Sequence, residues 1–326
     1  MKKLFLLRIV LLFFISCGIE DSLDISENAR CCEVKLKNYD NGIILPEQNS
    51  MRLMIMDSDP DADWNNQNSV LWSVKVKTCR GLSLNDCRKH RRAYTNLSEA
   101  KRFILNDKTY IAFCGSHGDG LSIIEMDSKT IIYTNDVGGS PHSLAVLPDG
   151  NLVVADPGKR QIRIFCIWQG NFNKNNQTFA HAGIHSMVWD DQNQLIWAWG
   201  GSAMKCFKYN FNKLNPQLTL INTYRAPQNW GNIGGHDMAP YKDSKLIFSW
   251  RLGIGTFSIA TKNFEKLIDI GKNSKGVSYN SLNDEIIHCR PDFKDSRTYR
   301  VRSTIEKDRN MKGGKWYRAR WFKEGV

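Results

Sequence analysis

An all-β fold, a six-bladed β-propeller with four-stranded antiparallel blades, is predicted by three features of this 326-residue sequence. First, one hairpin recurs without a gap, beginning at His142, His185, His236 and Lys275, with second strands at Leu152, Leu195, Leu246 and Glu285. A fifth copy, with a shorter turn, begins at Lys101. Secondly, these starts are spaced by 41, 43, 51 and 39 residues, the length of one propeller blade. Thirdly, short alternating runs separated by Gly, Pro, Asn and Asp dominate, and no twelve-residue stretch carries a convincing helical period.

Taken in order, the elements fill out the blades. Third strands are expected at Leu121–Glu125, Gln161–Phe165, Met204–Tyr209, Thr256–Ala260 and Thr298–Arg302. Fourth strands are expected at Thr130–Tyr133, Gln177–His181, Leu218–Thr223, Phe264–Ile268 and Trp316–Trp321. The segment before Lys101 supplies a sixth blade from Cys32–Lys37, Gly42–Leu45, Arg52–Asp57 and Val70–Val76. Residues 78–98 then form a basic insertion pinned by a Cys79–Cys87 disulfide. Cys114, Cys166, Cys206 and Cys289 lie within apolar strand patterns and read as buried thiols.

The division expected is a signal peptide over 1–16, a tether over 17–30 and one propeller domain over 31–326. Lys2, Lys3 and Arg8 precede a short apolar run ending at Phe14-Ile15-Ser16-Cys17, a lipoprotein-type signal with Cys17 as the lipidated residue. That run is too short to span a bilayer, so the membrane would be met through the lipid anchor only. An exported chain sits where disulfides persist. Formal charge is +12, or about +9 without the three signal cations, which favours anionic partners. No nucleic-acid-binding motif is present.

In a propeller the first strand of each blade lines the axis, so equivalent residues at its start share one mouth. Lys101, His142, His185, His236 and Lys275 are therefore expected to ring that mouth, with His142, His185, His236 and Lys275 as candidate catalytic groups. Loops after the second strands bring His117, Arg251 and Arg290 to the same face, and Trp230 offers a ring for stacking on a sugar. With Lys101 they form the candidate substrate-binding set. A repeated histidine can equally tie loops together by hydrogen bonds. The alternation of His with Lys preserves cationic character, which such a tie does not require, and favours a functional ring.

Three uses follow chemically. The imidazoles of His142, His185 and His236 could ligate a divalent metal, although Lys101 and Lys275 are poor neighbours for one. The ring could instead hold the carboxylate or sulfate of an acidic glycan or small anionic sugar, with Arg251 and Arg290 as bidentate clamps. A His or Lys base with cations around an enolate-like intermediate would allow β-elimination, as a polysaccharide lyase performs it. The competing class is a non-catalytic scaffold binding a glycan or a protein.

Several runs carry a family resemblance: Pro141-His-Ser-Leu-Ala-Val-Leu-Pro-Asp-Gly150, His185-Ser-Met-Val-Trp-Asp190, Gly234-Gly-His-Asp237 and Ser274-Lys-Gly-Val277. Asp57…Asp63-Trp64 and Val70-Leu-Trp-Ser73 precede them. From about residue 50 onward the chain resembles a family of exported six-bladed propeller lipoproteins of unknown function from Gram-negative bacteria. The resemblance implies lipid anchoring in the cell envelope and a part in polysaccharide utilisation. A more distant analogy links it to propeller polysaccharide lyases, which place histidines and a metal at the axis.

Overall fold

The computed structural model describes residues 39–323, apart from 232, 271–273 and 296. The signal peptide, the tether, Cys17 and the expected strand Cys32–Lys37 lie outside the described residues. Six four-stranded antiparallel sheets form a six-bladed β-propeller. Blade 2 runs Glu99–Leu105, Lys108–Cys114, Gly120–Glu125 and Thr130–Asp136, and blade 3 Ser143–Val146, Leu152–Asp156, Gln161–Phe165 and Gln177–Ala180. Blade 4 comprises Ile184–Asp190, Leu195–Gly200, Ala203–Tyr209 and Leu218–Arg225. Blade 5 comprises Asp237–Tyr241, Lys245–Ser249, Gly253–Ser258 and Phe264–Asp269. Blade 6 comprises Gly276–Asn280, Glu285–Cys289, Arg300–Ser303 and Arg309–Asn310.

Blade 1 departs from the expected arrangement. Its innermost strand is Arg320–Trp321, paired with Ile43 and Ile44 of the strand Ile43–Glu47, and outside these lie Arg52–Met56 and Val70–Lys75. The run Trp316–Trp321, expected as the outer strand of the last blade, thus closes the first blade instead, and Arg309–Asn310 takes the outer place. The apolar alternation was real, but it serves the opposite edge of the ring. A propeller has exposed sheet edges until its two termini meet, and pairing them in one blade removes that edge.

Alternation puts Val, Ile, Leu, Trp and Phe between adjacent blades, where each inter-blade layer forms its own cluster. Trp197, Trp199, Phe248 and Phe257, all fully buried, fill the layer between blades 4 and 5. Burial of this kind contributes on the order of 25 cal/mol per Å² of apolar surface. The insertion carries a nine-residue helix, α1 (Leu84–Arg92), the single α-helix among the described residues. The Ser83 hydroxyl accepts from the Asp86 amide to cap it, four cationic or imidazole residues fill its last turn, and the Cys79–Cys87 disulfide holds its start. Cys114, Cys166, Cys206 and Cys289 are buried free thiols, as expected.

Candidate functional site

Inner strands run from the mouth downward, and one backbone bond marks the mouth level in blades 2, 3, 5 and 6. The amides of His142, His236 and Lys275 donate to the carbonyls of Ala155, Ser249 and Cys289 at 3.0, 3.0 and 2.7 Å. In blade 2 the same bond joins Ser98 to Cys114 at 3.0 Å. Ser98, rather than Lys101, is therefore the equivalent residue, and the shortened turn had shifted the register by three. Lys101 lies further down the channel and donates to the Met187 carbonyl at 2.6 Å. His142, His185, His236 and Lys275 thus come together at the mouth, and Lys101 lies below them.

The three imidazoles stand edge to face in sequence, with centroids 5.1 Å apart for His142–His185 and 5.1 Å for His185–His236. The Tyr317 ring continues the row, 5.5 Å from His142. Nδ1 of His142 lies 2.6 Å from the Ser140 carbonyl, and Nδ1 of His185 lies 2.9 Å from the Gly183 carbonyl. A carbonyl only accepts, so each Nδ1 carries the proton and Nε2 is left as an acceptor. The Lys275 ammonium donates to His236 Nε2 at 2.9 Å. His236 Nδ1 is buried and has no hydrogen-bond partner among the described residues.

This environment disfavours every positive charge at the mouth. Burial, then the neighbouring His185, brings His142 down to about 3. Burial and Arg318 bring His185 to about 4, and burial with Lys275 brings His236 to about 2. Lys275 falls to about 8, through burial and then Arg318. All three rings are thus neutral at pH 7, while the ammonium is largely charged. Their edge-to-face arrangement does not converge three nitrogens, and among the described residues no group of three His, Cys, Asp or Glu side chains is placed to hold a metal ion. The metal set His142, His185 and His236 is not assembled in this geometry.

Beneath the mouth the axis is filled, and by residues that sequence reasoning missed. Arg318, fully buried, spends all five N–H groups. Its Nε donates to the Lys275 carbonyl (3.1 Å), and its terminal nitrogens to the carbonyls of His142 (2.6 Å), His185 (2.9 Å) and His236 (2.6 Å) and to Glu99 Oε2 (3.0 Å). One guanidinium therefore reaches blades 2 to 6. Below it Arg320 donates to both Glu99 oxygens at 2.6 Å and to Asp237 Oδ1 at 2.6 Å. Burial pushes the Glu99 carboxyl up, but Arg320, Lys101 and Arg318 together hold it below the usual range. Gly276 sits where its neighbours carry Ser, Ser and Asp, because a Cβ there would come 3.2 Å from Arg318 Cα. The Gly234-Gly-His-Asp237 run now has a reason at each place. Gly234 takes φ +49°, a Cβ on Gly235 would strike the Trp199 indole, His236 faces the mouth, and Asp237 neutralises the plug.

Other expected contributors stay on the mouth face but apart from the ring. His117 is exposed, its Nδ1 3.2 Å from the Asn96 amide. Arg251 is exposed, and Arg290 is half-buried with its guanidinium 3.5 Å from the Ile270 carbonyl. Trp230 leans on Trp250 (5.2 Å) and stacks on Phe248 (6.3 Å) with Lys266 over it, as an extension of the core layer between blades 4 and 5. His288 lies behind the ring in blade 6, brought to about 4 by burial, then by Arg302 and Arg290.

With this geometry in hand, comparison with known proteins gives a family. A family of unknown function, DUF6528, matches residues 1–325. The chain belongs to that family. No curated protein matches this DUF6528 member. Among solved structures it resembles a protein of unknown function from Bacteroides caccae (11% identity, TM-score 0.54, covering 86% of this chain and 97% of that one). It also resembles virginiamycin B lyase from Staphylococcus aureus (7%, 0.51, 83% and 85%) and a putative 6-phosphogluconolactonase from Bacteroides fragilis (15%, 0.50, 82% and 79%). Of two further matched structures it spans only 61% and 62%. At these identities the likeness is one of fold alone.

Proposed function

We propose that the axial mouth binds an acidic carbohydrate through its carboxylate, with the protein held in the cell envelope of a Gram-negative bacterium by a lipid on Cys17. The observation that carries this reading is an imbalance of charge. Arg318, Arg320 and Lys275 line the upper axis, and the fully buried Glu99 and Asp237 are both committed below Lys275. Lys275 is left at the mouth beside three imidazoles that burial, and then neighbouring cations, keep neutral. An anion there answers the ammonium. The Nε2 acceptors of His142 and His185 suit the hydroxyls of a sugar, and edge-to-face rings offer a platform for its apolar face.

The same groups allow a second reading, β-elimination. His142 Nε2 is unprotonated and the Tyr317 phenol, raised by burial, keeps its proton beside it. Elimination needs a base and a donor on one pocket, and a bound carboxylate would restore basicity that burial and neighbouring cations take from His142: the base takes the proton α to the carboxylate, the C–O bond to the leaving sugar breaks, and the phenol protonates that oxygen. The test is calorimetric titration with oligogalacturonate and with its methyl ester, followed by ultraviolet absorbance of unsaturated product. The expected result is binding of the acid at least tenfold tighter than the ester, weakened in His185→Ala. Product formation assigns the lyase reading and binding without product assigns the scaffold. Equal affinity for acid and ester overturns both.

A further inference from the structure

The insertion between blades 1 and 2 takes no part in the mouth chemistry, yet it concentrates charge of one sign. Residues 75–92 hold seven Lys or Arg against one acid, Asp86, a net of +6. Lys75, Lys77 and Arg80 precede helix α1, and Arg88, Lys89, Arg91 and Arg92 stand on it, every one of them exposed. Asp86 accepts from the Asn171 amide at 3.0 Å, in the first turn where a carboxylate suits the helix dipole. The cations meet neutral groups: Arg80 donates to the Ser128 carbonyl at 2.6 Å, Arg91 Nε to the Lys77 carbonyl at 3.4 Å, and Lys89 lies over the Phe172 ring at 4.9 Å. Among the described residues none of the seven forms an ion pair with a carboxylate. Like charges three and four positions apart, as at Arg88, Arg91 and Arg92, destabilise a helix, and nine residues are too few to be stable alone. The disulfide, the Ser83 cap and the buried His90 nevertheless hold this charge in one place. Leu84, 83% exposed, lies four and seven positions before Arg88 and Arg91 and so shares their face.

We infer that this face of the insertion docks on an anionic lipid bilayer, with Arg88, Arg91 and Arg92 on headgroup phosphates and Leu84 at the acyl edge. Guanidinium groups match phosphate oxygens in pairs, and each cation held near an anionic surface adds an attraction that salt screens. A dissolved acidic glycan would answer the charge but leave Leu84 in water, whereas a bilayer takes up the leucine beside the cations. Through His90 and Thr134 the helix is fixed to the outer strand of blade 2, so docking lays the propeller axis along the membrane and keeps the histidine mouth open to solvent. The inference needs no lipid on Cys17; where one is present, the patch is the second contact that steadies a single anchor.

The experiment is cosedimentation of the full chain with phosphatidylcholine vesicles, either pure or carrying about one third phosphatidylglycerol. Binding to the anionic vesicles is expected, and its loss as salt rises from about 0.05 to about 0.5 M. The triple variant Arg88→Gln/Arg91→Gln/Arg92→Gln should weaken that binding at least about tenfold. Leu84→Ser should weaken it about threefold and leave retention on heparin–agarose unchanged. Lys2, Lys3 and Arg8 can also meet anionic lipid, so a second triple, Lys208→Gln/Lys294→Gln/Lys312→Gln, removes the same charge from exposed sites elsewhere and should keep wild-type binding within about twofold. His185→Ala should bind the vesicles as the wild type does, which separates this face from acidic-sugar binding. Melting curves confirm that each variant is folded. Equal losses in the two triples, indifference to Leu84→Ser, or retention on heparin without any binding to anionic vesicles would overturn the inference, the last assigning the face to a glycan.

Discussion

At the scale of single residues, the side chain that matters most to the fold is Arg318, because one guanidinium satisfies four main-chain carbonyls and a carboxylate in five different blades. Arg318→Met keeps the length and removes every donor, leaving Glu99 and four carbonyls short of partners in the dry axis. The expected cost is about 3–5 kcal/mol, read as a lowered denaturant midpoint. Lys275 governs function instead. Its pKa of about 8 lies below the ordinary 10.5, so its charge is present below pH 8 and lost above it. Affinity for a uronate should fall as pH rises through 8, by up to about tenfold per unit, while the imidazoles, already neutral, add no change there. Lys275→Met should bind weakly and flatten that profile; an unchanged slope removes Lys275 from the site. The histidines and Lys275 were legible because they repeat. Arg318, Arg320 and Glu99 were not, since each occurs once and no spacing marks them.

At the scale of elements, helix α1 shows how an insertion is fixed to a blade without belonging to it. His90, on its last turn, is fully buried. Its ring nitrogens lie 2.8 Å from the Thr134 hydroxyl and 2.7 Å from the Val76 carbonyl. A carbonyl partner on Nε2 makes that nitrogen the donor, so the ring bridges blades 1 and 2 as a neutral group. His90→Leu fills the space yet leaves the Val76 carbonyl buried and unpaired, which costs about 1–3 kcal/mol. Calorimetric melting should show this loss, with faster proteolysis between residues 78 and 98. An unchanged melt would mean the insertion is only loosely docked. Sequence located this segment, its disulfide and its basic character, but its nine residues are too few for a helical period to stand out. Strand Arg320–Trp321 was misplaced for a different reason. Alternation tells that a run is a strand, but partner choice depends on where the ends of the ring meet.

Across the whole molecule, the inner strands form an unbroken circuit of hydrogen bonds just below the mouth. Ser143 donates to Glu99, the Met187 amide to Ser143, Ser186 to Asp237, the Val277 amide to Asp237, the Trp321 amide to Ser278, and Arg320 to Glu99. Every blade is thereby tied to the next, at distances from 2.6 to 3.3 Å. The blade count and the histidine mouth were readable because repeats impose equivalence. The plug was not, because it breaks that equivalence by design: blade 1 contributes cations where the other blades contribute Glu, Ser, Asp or Gly.

Because Arg320 lies in the closing strand and Arg318 just before it, they are among the last of the described ring residues to be synthesised. Until then a nascent chain carries Glu99 and Asp237 without the two guanidinium groups that bind them. A chain interrupted before Arg318 cannot bury those carboxylates cheaply and so stays open to proteases, which makes the plug a chemical sign that the ring has closed.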